Sequence, residues 1–335
     1  MQTSYDLVKK AIGFKGPERI PYNFDSNRTP EIETKYGDDL IWVFIGPDPD
    51  FIPSTPGADE LGIVSETLDS RVFGLPVVHP LNDWAKLPDY HFPDYSKQAR
   101  YWDLEIQVAA NPGKYILGMF PHFLFQHMMH LVGFEKLMTD IIAEREAVLE
   151  LRNRMVDSCI SVVHSMADRG VHGLIAIEDL GLQDRMFISP RLWLEIFKPG
   201  YSRIISAAHQ RGLHVFSHTC GYIFEIIEDM IEIGLDVIQL DQQDHMGIER
   251  LSRSYGGRIC FFCPVDIQTT LSIPENFAFI EAKVKQLIWN FGRFDGGFMA
   301  KTYPQPESIQ IPEQNNAFMC AQFKRFGIYP LNFSL

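Results

Sequence analysis

The stretch Arg211-Gly212-Leu213-His214-Val215-Phe216-Ser217-His218-Thr219-Cys220-Gly221 decides how this chain is read. A helix-like segment closes at Arg211-Gly212, and the apolar run that follows has the length and composition of a short buried strand. Residues i and i+2 of a strand point to the same face, about 7 Å apart at Cα. The His218 imidazole and the Cys220 thiol can therefore reach one ion, and zinc accepts this mixed nitrogen and sulfur set.

Working outward, the same alternation repeats. Upstream, Leu174 to Glu178 reads as a strand, and Ser189-Pro190 opens a helix, with serine at the N-cap and proline at the first helical position, that runs to Arg211. Downstream, Asp236 to Asp241, Arg258 to Cys263 and Gly297 to Lys301 supply three further strands separated by helical segments. Toward the start, Tyr115 to Phe120 and Arg19 to Phe24 are strands, the latter preceded by a helix from Tyr5 to Ile12. Short apolar strands alternating with helices predict a parallel sheet covered on both faces. No strand leads into a dinucleotide-type glycine fingerprint, which favours a closed (β/α)8 TIM barrel with one strand missed over an open doubly wound sheet. The expected organisation is a single barrel domain over residues 1–335, with an N-terminal helical extension. The irregular Pro-, Gly- and Asp-rich segment 28–112 is read as an insertion covering one end.

Composition narrows the function classes. The chain has 335 residues, 46% of them hydrophobic, and a formal charge of −13. Such a balance builds a substantial core and repels nucleic acid and anionic membranes. The first residues lack a secretory pattern, and charged residues or histidines interrupt every apolar stretch before it reaches spanning length. A cytoplasmic location is expected. Five cysteines form no dense disulfide framework, so reduced thiols are expected.

In a barrel, chemistry collects at the C-terminal ends of the strands. Those ends carry Asp25 and Arg28, Phe120 and His122, Glu178 and Asp179, His218 and Cys220, Asp241 and Gln243, Cys263, and Lys301 and Tyr303. Cys263 ends its strand whereas Cys260 lies three residues earlier, so Cys263 is expected to face the site and Cys260 the core. Either Cys263 or Glu178 is then the third metal ligand beside His218 and Cys220, leaving a fourth position open for substrate. Glu178, Asp241 and Lys301 are the candidate catalytic groups. Asp25, Arg28, Phe120, His122, Asp179, Gln243 and Tyr303 are the candidate substrate contacts. The alternative for His218 and Cys220 is a hydrogen-bonded histidine and a small buried hydrophobe.

From Ile188-Ser189-Pro190 through Phe197-Lys198-Pro199, then Ala207 to Gly212 and His218-Thr219-Cys220-Gly221, the sequence resembles the uroporphyrinogen decarboxylase superfamily. Ile231 to Asp236 and Cys263-Pro264-Val265-Asp266 continue the likeness. The resemblance implies a (β/α)8 barrel. True decarboxylases carry an Arg-Gln-Ala-Gly-Arg motif after the first strand, where this chain has Phe24-Asp25-Ser26-Asn27-Arg28-Thr29. A single guanidinium cannot replace two for a polycarboxylate. The zinc-dependent methyltransferase branch, which moves methyl groups between a corrinoid protein and an acceptor, matches at His218 and Cys220. It departs after the last strand, where Lys301-Thr302-Tyr303-Pro304 stands in place of a further cysteine. The resemblance thus implies a methyltransferase with zinc as cofactor and a corrinoid protein as partner, while the charge favours a small-molecule substrate and a second copy of the chain is a further candidate partner. The alternatives are a lyase acting on a smaller carboxylate, or a barrel that binds a ligand without turnover.

Overall fold

The computed structural model describes residues 2–24, 37–67, 74–303 and 306–333. Eight parallel strands form one sheet around a filled interior, the architecture of a (β/α)8 barrel. They are β1 (Tyr22–Asn23), β2 (Leu40–Val43), β5 (Tyr115–Met119), β6 (Gly173–Asp179), β7 (His214–Cys220), β8 (Val237–Gln239), β9 (Cys260–Cys263) and β10 (Phe298–Lys301). Neighbours run in chain order from β2 through β5 to β10 and then to β1. Asp39 joins the two ends: its backbone N–H donates to the Tyr22 carbonyl at 2.8 Å. Its carboxylate accepts from the Tyr22 amide at 2.8 Å and pairs with Arg19 at 2.7 Å.

Seven of these strands coincide with segments expected from the sequence, and β2 is the eighth. It lies inside the stretch read as an irregular insertion, so 28–112 is not wholly a cover. That stretch also contains the antiparallel pair β3 (Val64–Glu66) and β4 (Leu75–Val78), and a helix at Trp102–Ala110. The single helix expected over Ser189–Arg211 is two, Pro190–Ile196 and Lys198–Gln210. Pro199 explains the break, because it lacks an N–H and its ring clashes with the carbonyl four residues back. The Ser189 hydroxyl does cap the first of them, accepting from the Leu192 amide at 3.3 Å.

Strand periodicity of two sorts the core into two layers. Leu40, Tyr115, Leu117, Ile175, Phe216, Val237, Cys260, Phe262 and Met299 fill the barrel interior. Their sequence neighbours, such as Ile116, Leu174, Val215, Phe261 and Cys263, face the surrounding helices. The N-terminal helix α1 (Ser4–Ile12) closes the N-terminal mouth, with Val8, Ala11 and Ile12 packed on the interior residues. A reciprocal Thr3/Asp6 capping box starts it. The opposite end, at the C-terminal ends of the strands, is where barrels of this kind bind their ligands. No helix among the described residues is long and apolar enough to cross a membrane.

Candidate metal centre

Toward the C-terminal strand ends the interior-facing residues Trp42, Met119, Ile177, Asp179, His218 and Cys220 are partly solvent-accessible. These side chains stand at the C-terminal mouth of the barrel. On its β6–β7 side, Asp179, His218 and Cys220 each offer a ligand atom, all within 4.8 Å of one another. Cys220 Sγ lies 3.4 Å from His218 Nε2, and Asp179 Oδ1 lies 3.8 Å from the same nitrogen. Ligands about 2.0–2.3 Å from a tetrahedral zinc stand about 3.3–3.8 Å apart, so this spacing fits one ion. Asp179 Oδ1 is buried without a hydrogen-bond partner, a costly arrangement unless something else satisfies it. The donor set therefore fits zinc.

The backbone places these groups by register. Parallel pairing sets Ile177 beside His218 and Asp179 beside Cys220, and paired residues share a face. Beyond the pair the two strand ends meet at Gly181 and Gly221. Gly221 has φ 75°, and a Cβ there would collide with the Gly181 carbonyl. The Gly181 amide donates to the Cys220 carbonyl at 3.2 Å.

Beneath the cluster, Lys301 Nζ donates to Asp241 Oδ1 at 2.8 Å, as does Gln239 Nε2, also at 2.8 Å. Asp241 Oδ2 is 4.0 Å from His218 Nδ1. A carboxylate behind a ligating imidazole favours the tautomer that leaves Nε2 free to bind metal. Burial pushes the Cys220 thiol well above its ordinary range, and the carboxylates of Asp179 and Asp241 add to this. A divalent cation opposes that effect and favours the thiolate. Tyr303 at the rim is pushed up to about 12, by burial first and then by Asp241, so it remains a hydrogen-bond donor.

Two expected ligands point elsewhere. Cys263 is on the outer face of β9, packed among the helices, whereas the interior positions of that strand are Cys260 and Phe262. The expectation that Cys263 faces the site is corrected by this alternation, and Cys260 lines the interior far from the mouth. Glu178 also faces outward, accepting from the Phe125 amide at 3.0 Å and the Gln126 amide at 2.9 Å. Burial raises its carboxyl to about 7 against the opposing pull of those amides. Its placement is that of a cap on the helix Phe125–Val132. The oxygen beside His218 belongs to Asp179.

Other expected contacts are dispersed. Phe120 is buried with its ring 5.1 Å from that of Phe123, on the helical side. Gln243 is buried and donates to the Pro264 carbonyl at 2.9 Å. Asp25 and Arg28 lie outside the described residues. Asn23, Trp42, Met119, Ile177 and Gln239 were absent from the expected set, although strand parity with Leu40, Leu117, Ile175 and Asp241 marks four of them as interior.

His122 is sealed between Phe92, 5.4 Å away, and the Tyr95 hydroxyl, 3.2 Å from Nδ1. Burial holds its imidazole down at about 4. The unfolded chain takes up that proton near pH 6.5, so stability present above 6.5 is lost as pH falls toward 4, by up to about 3 kcal/mol. Denaturant unfolding at pH 7 and 4.5 should show this loss shrinking in His122→Gln. An unchanged pH dependence would remove His122 as its source.

The fold and the cluster define a (β/α)8 barrel with a candidate metal centre at its C-terminal mouth. The chain belongs to the uroporphyrinogen decarboxylase (URO-D) family, whose profile matches residues 105–297, more than half of its length. Its fold is similar to that of a methyltransferase from Methanosarcina mazei, with a TM-score of 0.73 at 14% identity, covering 97% of this chain and 99% of that one. Looser similarity extends to an IOLI protein with a bound zinc atom, with a TM-score of 0.44 at 13% identity over 94% of this chain and 100% of that one. It extends also to an L-ribulose 3-epimerase, with a TM-score of 0.46 at 11% identity over 92% and 89% of the two chains. No curated protein sequence matches the chain.

Proposed function

We propose that this URO-D family barrel is a zinc-dependent methyltransferase that moves a methyl group from a corrinoid protein to a thiol. The observation that carries the proposal is the Asp179, His218 and Cys220 cluster at the open mouth, with its unpartnered carboxylate oxygen. Asp179 Oδ1, His218 Nε2 and Cys220 Sγ would hold the ion, leaving one position for the acceptor sulfur. Zinc there would supply Lewis acidity, lowering the proton affinity of a substrate thiol. Asp241 places a carboxylate 4.0 Å behind His218 Nδ1, and Lys301 balances the Asp241 charge within the barrel. A methylcorrinoid donor would give up its methyl group and keep the bonding electron pair, the thiol sulfur would take the methyl group, and the thiol proton would go to solvent.

The test is zinc-loaded protein mixed with methylcobalamin and a panel of small thiols. Loss of the methyl–cobalt absorbance with stoichiometric thioether is expected. Stoichiometric zinc with no thioether from any thiol would defeat the methyl-transfer reading, and CO2 release from a small carboxylate would replace it with decarboxylation.

A further inference from the structure

In the loop that follows β8, two consecutive residues reach back to the two ligands of β7. The Asp241 carboxylate stands 4.0 Å from His218 Nδ1, and Gln242 Oε1 accepts from the Gly221 amide at 2.9 Å, one residue past Cys220. From the other side, the residues after Asp179 are tied to those around Cys220. The Leu180 amide donates to Thr219 Oγ1 at 3.1 Å, the Gly181 amide to the Cys220 carbonyl at 3.2 Å, and the Tyr222 amide to the Leu182 carbonyl at 2.7 Å. The crossing admits no side chain. A Cβ on Gly181 would lie 2.6 Å from the Gly221 carbonyl carbon, and one on Gly221 would strike the Gly181 carbonyl. Held this way, Asp179 Oδ1 stays 3.8 Å from His218 Nε2, although it is buried there without a hydrogen-bond partner. An orphaned carboxylate oxygen turns toward any donor that its backbone lets it reach, so these ties keep it where a cation would satisfy it.

From this arrangement, and resting on the reading of Asp179, His218 and Cys220 as a metal centre, we infer that Gln242 is a positioning residue of that centre. By fixing the Gly221 amide it closes the Gly181–Gly221 crossing, and so keeps the Cys220 thiol and the Asp179 carboxylate at the separation one ion requires. It acts through the backbone that follows Cys220. Groups that orient metal ligands in this way are worth about 10- to 100-fold in affinity.

Two substitutions test it on the full chain. Gln242→Met keeps the length of the side chain and removes the amide oxygen, whereas Gln242→Glu keeps an oxygen that can accept from Gly221. The zinc Kd, measured by competition against a chromophoric chelator, should rise about tenfold or more in Gln242→Met and stay within about threefold of wild type in Gln242→Glu. Cobalt(II) in place of zinc supplies a readout that a loss of stability alone does not move. At saturating cobalt the thiolate-to-metal charge-transfer band and the d–d bands report the ligands and their geometry. Gln242→Met should shift or weaken these bands, and Gln242→Glu should restore them. Gly181→Ala forces the strand ends apart and should weaken zinc further; if it does not fold, the two Gln242 variants decide. A wild-type zinc Kd and cobalt spectrum in Gln242→Met would overturn the inference and leave the centre standing. Equal weakening in both Gln242 variants would overturn it too, because the acceptor oxygen would then not be what matters. Wild-type protein that takes up neither zinc nor cobalt would overturn the centre and the inference together.

Discussion

Replacing Cys220 with alanine is expected to lower zinc affinity by about 100-fold or more, with methyl transfer lost in parallel. Changes to groups that only support a metal ligand already cost about 10- to 100-fold, and loss of the ligand itself should exceed that range. Asp179→Asn should weaken zinc in the same direction, because an amide oxygen carries no charge. Cys263→Ser should leave affinity within about twofold, since the Cys263 side chain is on the opposite face of its strand. This contrast separates Asp179 from Cys263, the third ligand that strand-end position favoured. Because the Cys220 thiol is held above its ordinary range, zinc must displace a proton to bind. Affinity should then rise about tenfold per pH unit through neutrality. Competition against a chromophoric chelator measures all of these, and wild-type zinc retention in Cys220→Ala would end the proposed centre.

The second large effect is on folding. Lys301 and Asp241 are 3% and 2% exposed and bonded at 2.8 Å. Lys301→Met keeps the length and volume of the side chain but leaves a buried carboxylate without its countercharge, which costs about 3–5 kcal/mol. Adding Asp241→Leu should recover much of that loss, because an apolar pair of similar volume has no charge to desolvate. Equilibrium denaturation of the single and double variants reads the difference. A single variant within about 1 kcal/mol of wild type would show that the pair does not hold the barrel mouth together. The double variant also separates stability from chemistry, since it removes the carboxylate behind His218. Zinc affinity should therefore stay reduced even where stability returns.

Much of the fold was legible in the chain itself. Seven runs of buried-strand composition, the Ser189-Pro190 helix start and the Arg211-Gly212 stop are local signals, encoded within a few residues of where they act. β2 escaped because four residues, Leu40 to Val43, sit in a segment dominated by Pro, Gly and Asp. That strand is stabilised by pairing with β5 and by Asp39 reaching across to Tyr22 and Arg19, contacts absent from its own composition.

The candidate site divides along the same line. His218 and Cys220 share a face because they are two apart on one strand, a relation the sequence alone determined. Whether Glu178 or Asp179 joins them, and whether Cys260 or Cys263 looks inward, depends on how β6 and β9 register against their neighbours. A slip of one residue reverses every side chain on a strand. That register is set by hydrogen bonds between segments distant in sequence and by which alternate set of residues the filled interior accepts. Only the tertiary structure decided it, turning Asp179 toward His218 and both Glu178 and Cys263 toward the helices.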